Sequence, residues 1–164
     1  MFITDSVAAQ KIDSLFLEAA ISKLQNSKQY TLKMANLMPE EKYSFKPTPD
    51  EMNFGEQLLH ISENLRWLTS SYILNSESPE PKSKVGAQKK VAIIEVLKKT
   101  YDFAIDALSS FELSHLADTV SFFAGPKTKL QMINLISDHQ THHRGQMIVY
   151  LRLNGIRPPE YVGW

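Results

Sequence analysis

Cysteine is absent from the 164-residue chain, which excludes disulfides, thiolate metal ligands and a cysteine nucleophile. Any thiol chemistry would therefore require an external thiol. The chain also lacks net charge, because 18 lysine and arginine residues balance 18 aspartate and glutamate residues. Without a global positive field to hold a phosphate backbone or an anionic lipid surface, nucleic acid is not expected as a partner.

Long apolar runs are missing as well. No stretch approaches the roughly 18 apolar residues of a membrane span, and the N-terminal sequence MFITDSVAAQKIDSLF lacks the basic start and apolar run of a signal peptide. We therefore expect a cytoplasmic protein without membrane association. Hydrophobic residues make up 43% of the chain and charged residues 22%, which is typical of a single globular domain, here 1–164.

Apolar residues recur at three- and four-residue intervals in four segments, the pattern of amphipathic helices. The predicted helices cover about 6–37, 53–74, 87–111 and 128–154. Between the last two, Val120, Phe122 and Phe123 predict a short extended segment or an ordered loop. Four such helices cannot bury their apolar stripes alone, so the sequence predicts an all-α fold, a four-helix bundle.

Two of the predicted helix starts have the spacing of a capping box. Asn53 with Glu56 marks the start of the second helix, although Thr48 is a competing start signal. Thr128 with Gln131 marks the start of the fourth, which ends before a glycine that can adopt the left-handed cap.

The segment DHQTHHRGQ, residues 138–146, holds three of the five histidines. At about 100° per residue, His139 and His143 lie about 40° apart on one helix face and one turn apart, so both can reach one ion. His142 lies at the flank of this face and is the weaker candidate. Arg144 points away from it, where we expect a bridge to another helix or to a second subunit. Six further residues share the face and are expected to point into the bundle: Met132, Leu135, Ile136, Gln146, Tyr150 and Leu153.

Two histidines rarely complete a catalytic metal site, which usually has three protein ligands and one position for water or substrate. His60 in the second helix and His115 in the loop after the third are the remaining candidates. A helix holds a ligand more precisely than a loop does, which favours His60. Gln57 and Asn64 beside His60 would either orient a ligating imidazole or mark an exposed face. Spacing alone leaves open a set of core or surface histidines without metal.

The C-terminal stretch HQTHHRGQMIVYLRLNGIRPPEY resembles the signature of the DinB/YfiT-like superfamily, stress-induced helical bundles described as metal-dependent enzymes. The match contains the specific string H-x-x-x-H-R-G-Q, from His139 to Gln146. FGEQLLHI resembles the second-helix segment of the family and places the first ligand at His60. The resemblance covers essentially the whole chain. It implies up-down-down-up topology, and hence a crossover between helices two and three.

The resemblance further implies a divalent ion, nickel or zinc, held by His60, His139 and His143, and a homodimer. The best-understood relatives are thiol-dependent S-transferases, which join a low-molecular-weight thiol to an electrophile. This activity suits a chain without cysteine, because the co-substrate supplies the sulfur. Five residues are candidates for the pocket wall or for contacts that orient the ligands: Gln57, Asn64, His142, Gln146 and Tyr150.

Two other functions are compatible with the same residues. The ion would serve equally in a hydrolase that activates water, with Glu56 or Glu63, each within about one turn of His60, as general base. The third hypothesis is a non-catalytic bundle stabilised by metal or by dimerisation, since the sequence contains no clear acid–base pair near the ligands. For this reason no catalytic residue is assigned.

Overall fold

The computed structural model describes residues 3–77 and 89–163. Four long helices account for most of them: α1 (Ile3–Leu37), α2 (Phe54–Leu68), α3 (Lys90–Ser109) and α4 (Lys129–Leu153). The predicted all-α fold is therefore confirmed, with bounds close to those expected. The one departure is at the end of α2, which continues as a π-helical turn, Thr69–Ile73. Within the described ranges, no helix is long and apolar enough to cross a membrane.

Both predicted capping boxes are present. The Asn53 side chain accepts a hydrogen bond from the Glu56 amide, and the Glu56 carboxylate accepts one from the Asn53 amide. Thr128 and Gln131 form the same pair of bonds at the start of α4. Thr48, the competing signal, lies in a bend ahead of α2. Because a capping box satisfies amides that a helix start leaves free, it fixes where each of these helices begins.

The helices form a bundle in which α1 and α2 each pack mainly on α3 and α4. The pairs α1/α2 and α3/α4 therefore lie diagonally across the bundle, whereas α2 and α3 are neighbours. In the α1/α3 pair, Lys28 bonds Asp102, and Lys90 donates to the Asn36 carbonyl oxygen. Since later residues of α1 meet earlier residues of α3, these two helices are antiparallel.

The α2/α3 pair runs in one direction. Gly55, near the start of α2, lies beside Ile93, near the start of α3. Further along both helices, Arg66 Nη2 of α2 lies 3.4 Å from Thr100 Oγ1 of α3. In the α2/α4 pair, by contrast, Lys129 at the start of α4 bonds the Ile73 carbonyl oxygen at the end of the α2 region. These directions confirm the up-down-down-up topology. The predicted crossover spans residues 75–86, of which 78–86 lie outside the described residues.

A short antiparallel hairpin separates α3 from α4. Its strands are β1 (Thr119–Val120) and β2 (Lys127–Thr128). The sequence predicted an extended segment or an ordered loop here, and the structure contains both. Val120 lies in a strand, and Phe122 and Phe123 lie in the connecting loop. Gly125 in this loop has φ +92°, a conformation that favours glycine.

The interior of α4 is largely as predicted, with one error. Met132, Ile136 and Tyr150 are buried, and Leu135 is half-buried. Leu153, which was expected to face inward, is 59% exposed. The reason is that the Tyr150 hydroxyl already contacts the Met52 carbonyl, ahead of the first residue of α2. The last turn of α4, which contains Leu153, thus extends past the first residue of α2.

Candidate metal centre

The antiparallel contact of α2 with α4 brings His60 to His139 and His143. Each residue offers one ligand nitrogen, and the three nitrogens lie within 4.8 Å of one another. The Nε2 atoms of His139 and His143 are 3.2 Å apart. Two nitrogens bound at about 2.0 Å to a tetrahedral zinc ion lie about 3.3 Å apart. The three residues could therefore hold one metal ion.

Burial keeps these imidazoles neutral. It is the main cause that lowers the pKa of His139 to about 4 and that of His143 to about 3, and mutual repulsion among the neighbouring histidines adds to it. Burial also lowers the pKa of His60, although Glu63 opposes this effect. Near pH 7 each ring therefore keeps a nitrogen lone pair, which is the form that binds metal.

Gln57 sets the tautomer of His143. This side chain is fully buried, and its Oε1 accepts a hydrogen bond from His143 Nδ1 at 2.6 Å. The proton of His143 therefore lies on Nδ1, and the Nε2 lone pair faces the other two histidines. On the other side, Gln57 Nε2 donates to Gln146 Oε1 at 2.5 Å and approaches the Tyr150 hydroxyl at 3.4 Å. Tyr150 in turn donates to the Met52 carbonyl.

The environment of His139 also fits a metal. Its Nδ1 is buried and has no hydrogen-bond partner within the described ranges, whereas its Nε2 faces His143. The Nε2 atom of this ring is therefore directed at the three-histidine centre. A set of three neutral imidazole nitrogens is a donor set that suits zinc and nickel.

The remaining predicted residues occupy different positions. His142 is exposed, and its Nε2 accepts from Gln146 Nε2 at 3.0 Å. Asn64, half-buried one turn after His60, forms no side-chain hydrogen bond within the described part of the chain. His115, the rejected ligand candidate, is exposed and its Nδ1 bonds Asp118 at 2.6 Å. Thus Gln57 bonds His143 directly, and Gln146 and Tyr150 lie next to Gln57. Asn64 and His115 form no hydrogen bond with the three histidines in the described part of the chain.

An acidic cleft beside His60 was missed in the sequence. It has a volume of about 350 Å³, and six residues line it: Asp50, Glu51, Met52, Glu56, His60 and Glu63. The pair Asp50-Glu51 lies just after Thr48, the competing helix-start signal. Its position three and two residues before the capping box was the available signal, because the cap directs the preceding segment along the His60 side of α2.

Replacing Gln57 by leucine is expected to weaken metal binding by about 10- to 100-fold, the usual effect of losing a contact that orients a ligand. Leucine cannot accept the His143 Nδ1 proton, so the ring is free to turn or change tautomer. Titration with a chromophoric chelator as competitor would measure the change. The control is Gln57→Glu, which keeps an acceptor in place and should retain affinity. A leucine variant that binds as tightly as wild type would contradict this account of Gln57.

Comparisons with known proteins agree with this architecture. Residues 13–163 match the model of the DinB family. An uncharacterized protein of Bacillus subtilis strain 168, YjoA, is 24% identical over 139 residues, which span 82% of this chain and 88% of YjoA.

Two crystal structures show the same fold. The DinB-like protein from Bacillus cereus ATCC 10987 superimposes with a TM-score of 0.77 at 23% identity, covering 88% of this chain and 97% of that one. The structure of YjoA gives a TM-score of 0.73 at 19% identity, covering 87% and 96%. Since the family model spans nearly the whole sequence, this chain belongs to the DinB family.

Proposed function

We propose that this protein is a divalent-metal-dependent enzyme, a thiol S-transferase that joins a low-molecular-weight thiol to an electrophile. His60, His139 and His143 would hold a nickel or zinc ion. The observation that supports the proposal is the convergence of these three neutral imidazoles, from two helices, within 4.8 Å of one another. A homodimer stays a prediction from the family resemblance, and a cytoplasmic location stays a prediction from the sequence.

Three protein ligands leave coordination positions for a substrate. When bound, the ion would supply Lewis acidity and favour the thiolate form of a ligating thiol. The protein contributes orientation and access. Gln57 holds His143 from the buried side, whereas His60 and His139 are only half-buried. A substrate can therefore approach from the side of His60.

The charge of the cleft beside His60 restricts which substrates can approach. Four of its six lining residues are carboxylates, and none is a lysine or arginine. A binding surface whose side chains carry charge of one sign attracts ligands of the opposite charge and repels ligands of the same charge. We therefore expect the thiol, the electrophile or both to carry a positive charge or none, and not a carboxylate or phosphate.

The direct test is turnover of a thiol with a model electrophile such as monochlorobimane. Zinc- or nickel-loaded protein should consume both substrates faster than the triple variant His60→Ala/His139→Ala/His143→Ala under the same conditions. Equal rates for the two proteins would end the proposal. A circular-dichroism spectrum of the variant would establish that it is folded.

A series of thiols that differ mainly in charge tests the cleft. Cysteamine should react about 3- to 10-fold faster than 3-mercaptopropionate after correction for thiol pKa, with 2-mercaptoethanol between them, as befits partly screened surface charges. The preference should shrink in high salt and in the double variant Asp50→Asn/Glu51→Gln. A preference of the same size in wild type and in the double variant would show that the cleft does not select charge.

A hydrolase is the second candidate, and the position of Glu63 favours it. This carboxylate lines the cleft together with His60, where it could accept a proton from a nucleophilic water. Glu56 is less suited, because its carboxylate already caps α2. Turnover of esters or amides in the absence of thiol, lost in Glu63→Gln, would support hydrolysis over sulfur transfer.

A further inference from the structure

A chain of hydrogen bonds leads from the buried side of the metal centre to the surface of α4. His143 Nδ1 donates to Gln57 Oε1 at 2.6 Å, and Gln57 Nε2 donates to Gln146 Oε1 at 2.5 Å. Gln146 Nε2 in turn donates to His142 Nε2 at 3.0 Å. Each group thus donates to the next in a single direction. This direction leaves the lone pair of His143 on Nε2, the atom that faces His139.

The same chain reversed would satisfy the same atoms. Each amide offers a carbonyl oxygen on one side and an NH2 group on the other, so the two amides could turn over together. His142 is exposed, and with its proton on Nε2 it would donate to Gln146. Gln57 Nε2 would then donate to His143 Nδ1, which places the His143 proton on Nε2. Because a protonated nitrogen has no lone pair for a metal ion, a further contact must fix the direction of the chain.

Tyr150 provides a contact whose direction is fixed. Its hydroxyl has one proton, which it donates to the Met52 carbonyl oxygen at 2.8 Å. The Tyr150 oxygen therefore presents only lone pairs to Gln57, whose Nε2 lies 3.4 Å away. In the reversed chain, the Gln57 carbonyl oxygen would face this hydroxyl oxygen, and two acceptors would repel each other. Since a backbone carbonyl can only accept, the direction of the chain is set at Met52.

Burial makes this preference effective. Tyr150 is 3% exposed and Gln57 is fully buried, so a contact between two acceptors there would not be relieved by bulk water. If the hydroxyl turned towards Gln57 instead, the Met52 carbonyl would lose its hydrogen bond. No other donor among residues 3–77 and 89–163 bonds that carbonyl oxygen. Both ways of reversing the chain therefore cost free energy at Tyr150.

We infer that Tyr150 is a positioning residue: by donating its proton to the Met52 carbonyl, it holds the Gln57 amide in one orientation and keeps the His143 proton on Nδ1. The tautomer is a property of the metal-free protein, whereas its use in metal binding rests on the proposed function. Only molecules with the proton on Nδ1 can bind a metal ion through Nε2. The apparent dissociation constant therefore rises as the fraction of such molecules falls.

The test compares wild type, Tyr150→Phe and a matched control, Tyr43→Phe. Phenylalanine at position 150 removes the hydroxyl and keeps the ring, which packs on Phe45. Tyr43 is also buried, at 7% exposure, and its hydroxyl also donates to a backbone carbonyl, that of Ala35, at 2.8 Å. Two quantities are measured for each protein. They are the zinc dissociation constant and the protonation of the two His143 ring nitrogens, from 1H–15N correlation spectra of metal-free protein near pH 7.

Tyr150→Phe should show His143 in both tautomers, because Gln57 can then adopt either orientation. With about one half to one fifth of the molecules still protonated on Nδ1, the zinc dissociation constant should rise by about 2- to 5-fold. Tyr43→Phe should keep the single Nδ1 tautomer and the wild-type constant. A second substitution should rescue the tautomer. In Tyr150→Phe/Gln146→Glu the carboxylate can only accept, so Gln57 Nε2 must face it and the His143 proton should return to Nδ1.

A single Nδ1 tautomer in Tyr150→Phe, or mixed tautomers in wild type, would overturn the inference. So would equal mixing in Tyr43→Phe, because the loss of any buried hydroxyl would then suffice, and so would a double variant that stays mixed. Mixed tautomers in Tyr150→Phe without a weaker zinc constant would also overturn the positioning role.

The two proposals fail in different ways. Wild-type protein that binds no metal overturns the proposed function, whereas the spectra of the metal-free proteins still decide whether Tyr150 fixes the tautomer of His143. Wild-type protein that binds zinc, together with an unchanged tautomer in Tyr150→Phe, overturns this inference alone. All spectra are recorded at a temperature where circular dichroism shows each variant folded, so a loss of stability in Tyr150→Phe does not obscure the result.

Discussion

His60→Ala is expected to weaken zinc or nickel binding by about 100- to 1,000-fold. Structural zinc sites of about four ligands bind with about 10–16 kcal/mol, so one ligand accounts for roughly 3–4 kcal/mol. His60 is the only one of the three candidate ligands on α2, and without it α4 alone presents two. Competition against a chelator of known affinity measures the loss, and thiol transfer should fall with it.

The matched control for His60→Ala is His115→Ala. His115 is exposed in the loop after α3 and bonds Asp118, away from the centre. Its removal should leave metal affinity and activity unchanged. Because His60 is half-buried, its alanine variant should remain folded, with a stability change of about 1 kcal/mol. Equal affinity in wild type and His60→Ala would show that position 60 is not a ligand.

The metal-free protein is expected to lose stability as the pH falls from about 6.5 to about 4. The unfolded histidines have an ordinary pKa of 6.5, whereas burial lowers the pKa of His139 to about 4 and that of His143 to about 3. In this window the unfolded chain takes up protons that the folded chain does not, so protonation favours unfolding. The stability due to these two rings is complete above pH 6.5 and declines towards pH 4.

The loss should be on the order of 2 kcal/mol for the pair after allowance for partial exposure. Urea denaturation at intervals between pH 4.5 and 7 measures it as a difference from the double variant His139→Gln/His143→Gln. This subtraction removes the contribution of the carboxyl groups. His115→Ala should keep the wild-type slope. If wild type and the double variant follow parallel curves, the two rings are not held neutral by the fold.

The sequence alone is sufficient to predict the helices that carry the site, because the patterns that indicate these helices involve residues close together in the chain. The capping boxes at Asn53 and Thr128 depend on residues three positions apart, and the apolar spacing depends on residues one turn apart. These local signals therefore predict the starts of α2 and α4 correctly. The choice of His60 over His115 also rests on a local property, the greater rigidity of a helix.

The errors and omissions concern relations between helices. Leu153 has the correct spacing for a buried residue, but burial depends on where α2 begins opposite it. The bridge expected from Arg144 to another helix depends on partners distant in sequence, and in the described residues its Nη2 donates to Thr141 of the same helix instead. The acidic cleft forms only when the segment before α2 folds beside His60. None of these contacts leaves a periodic pattern in the sequence.

The division of the three histidines between α2 and α4 has a consequence for unfolding. His60 and His139 are separated by about 80 residues, which include all of α3. An ion shared by them would act as a reversible cross-link around this loop. Closing a loop of that length restricts the unfolded chain by an entropy worth about 4 kcal/mol. Loaded protein should then resist proteolysis across α3, a helix that contributes no ligand.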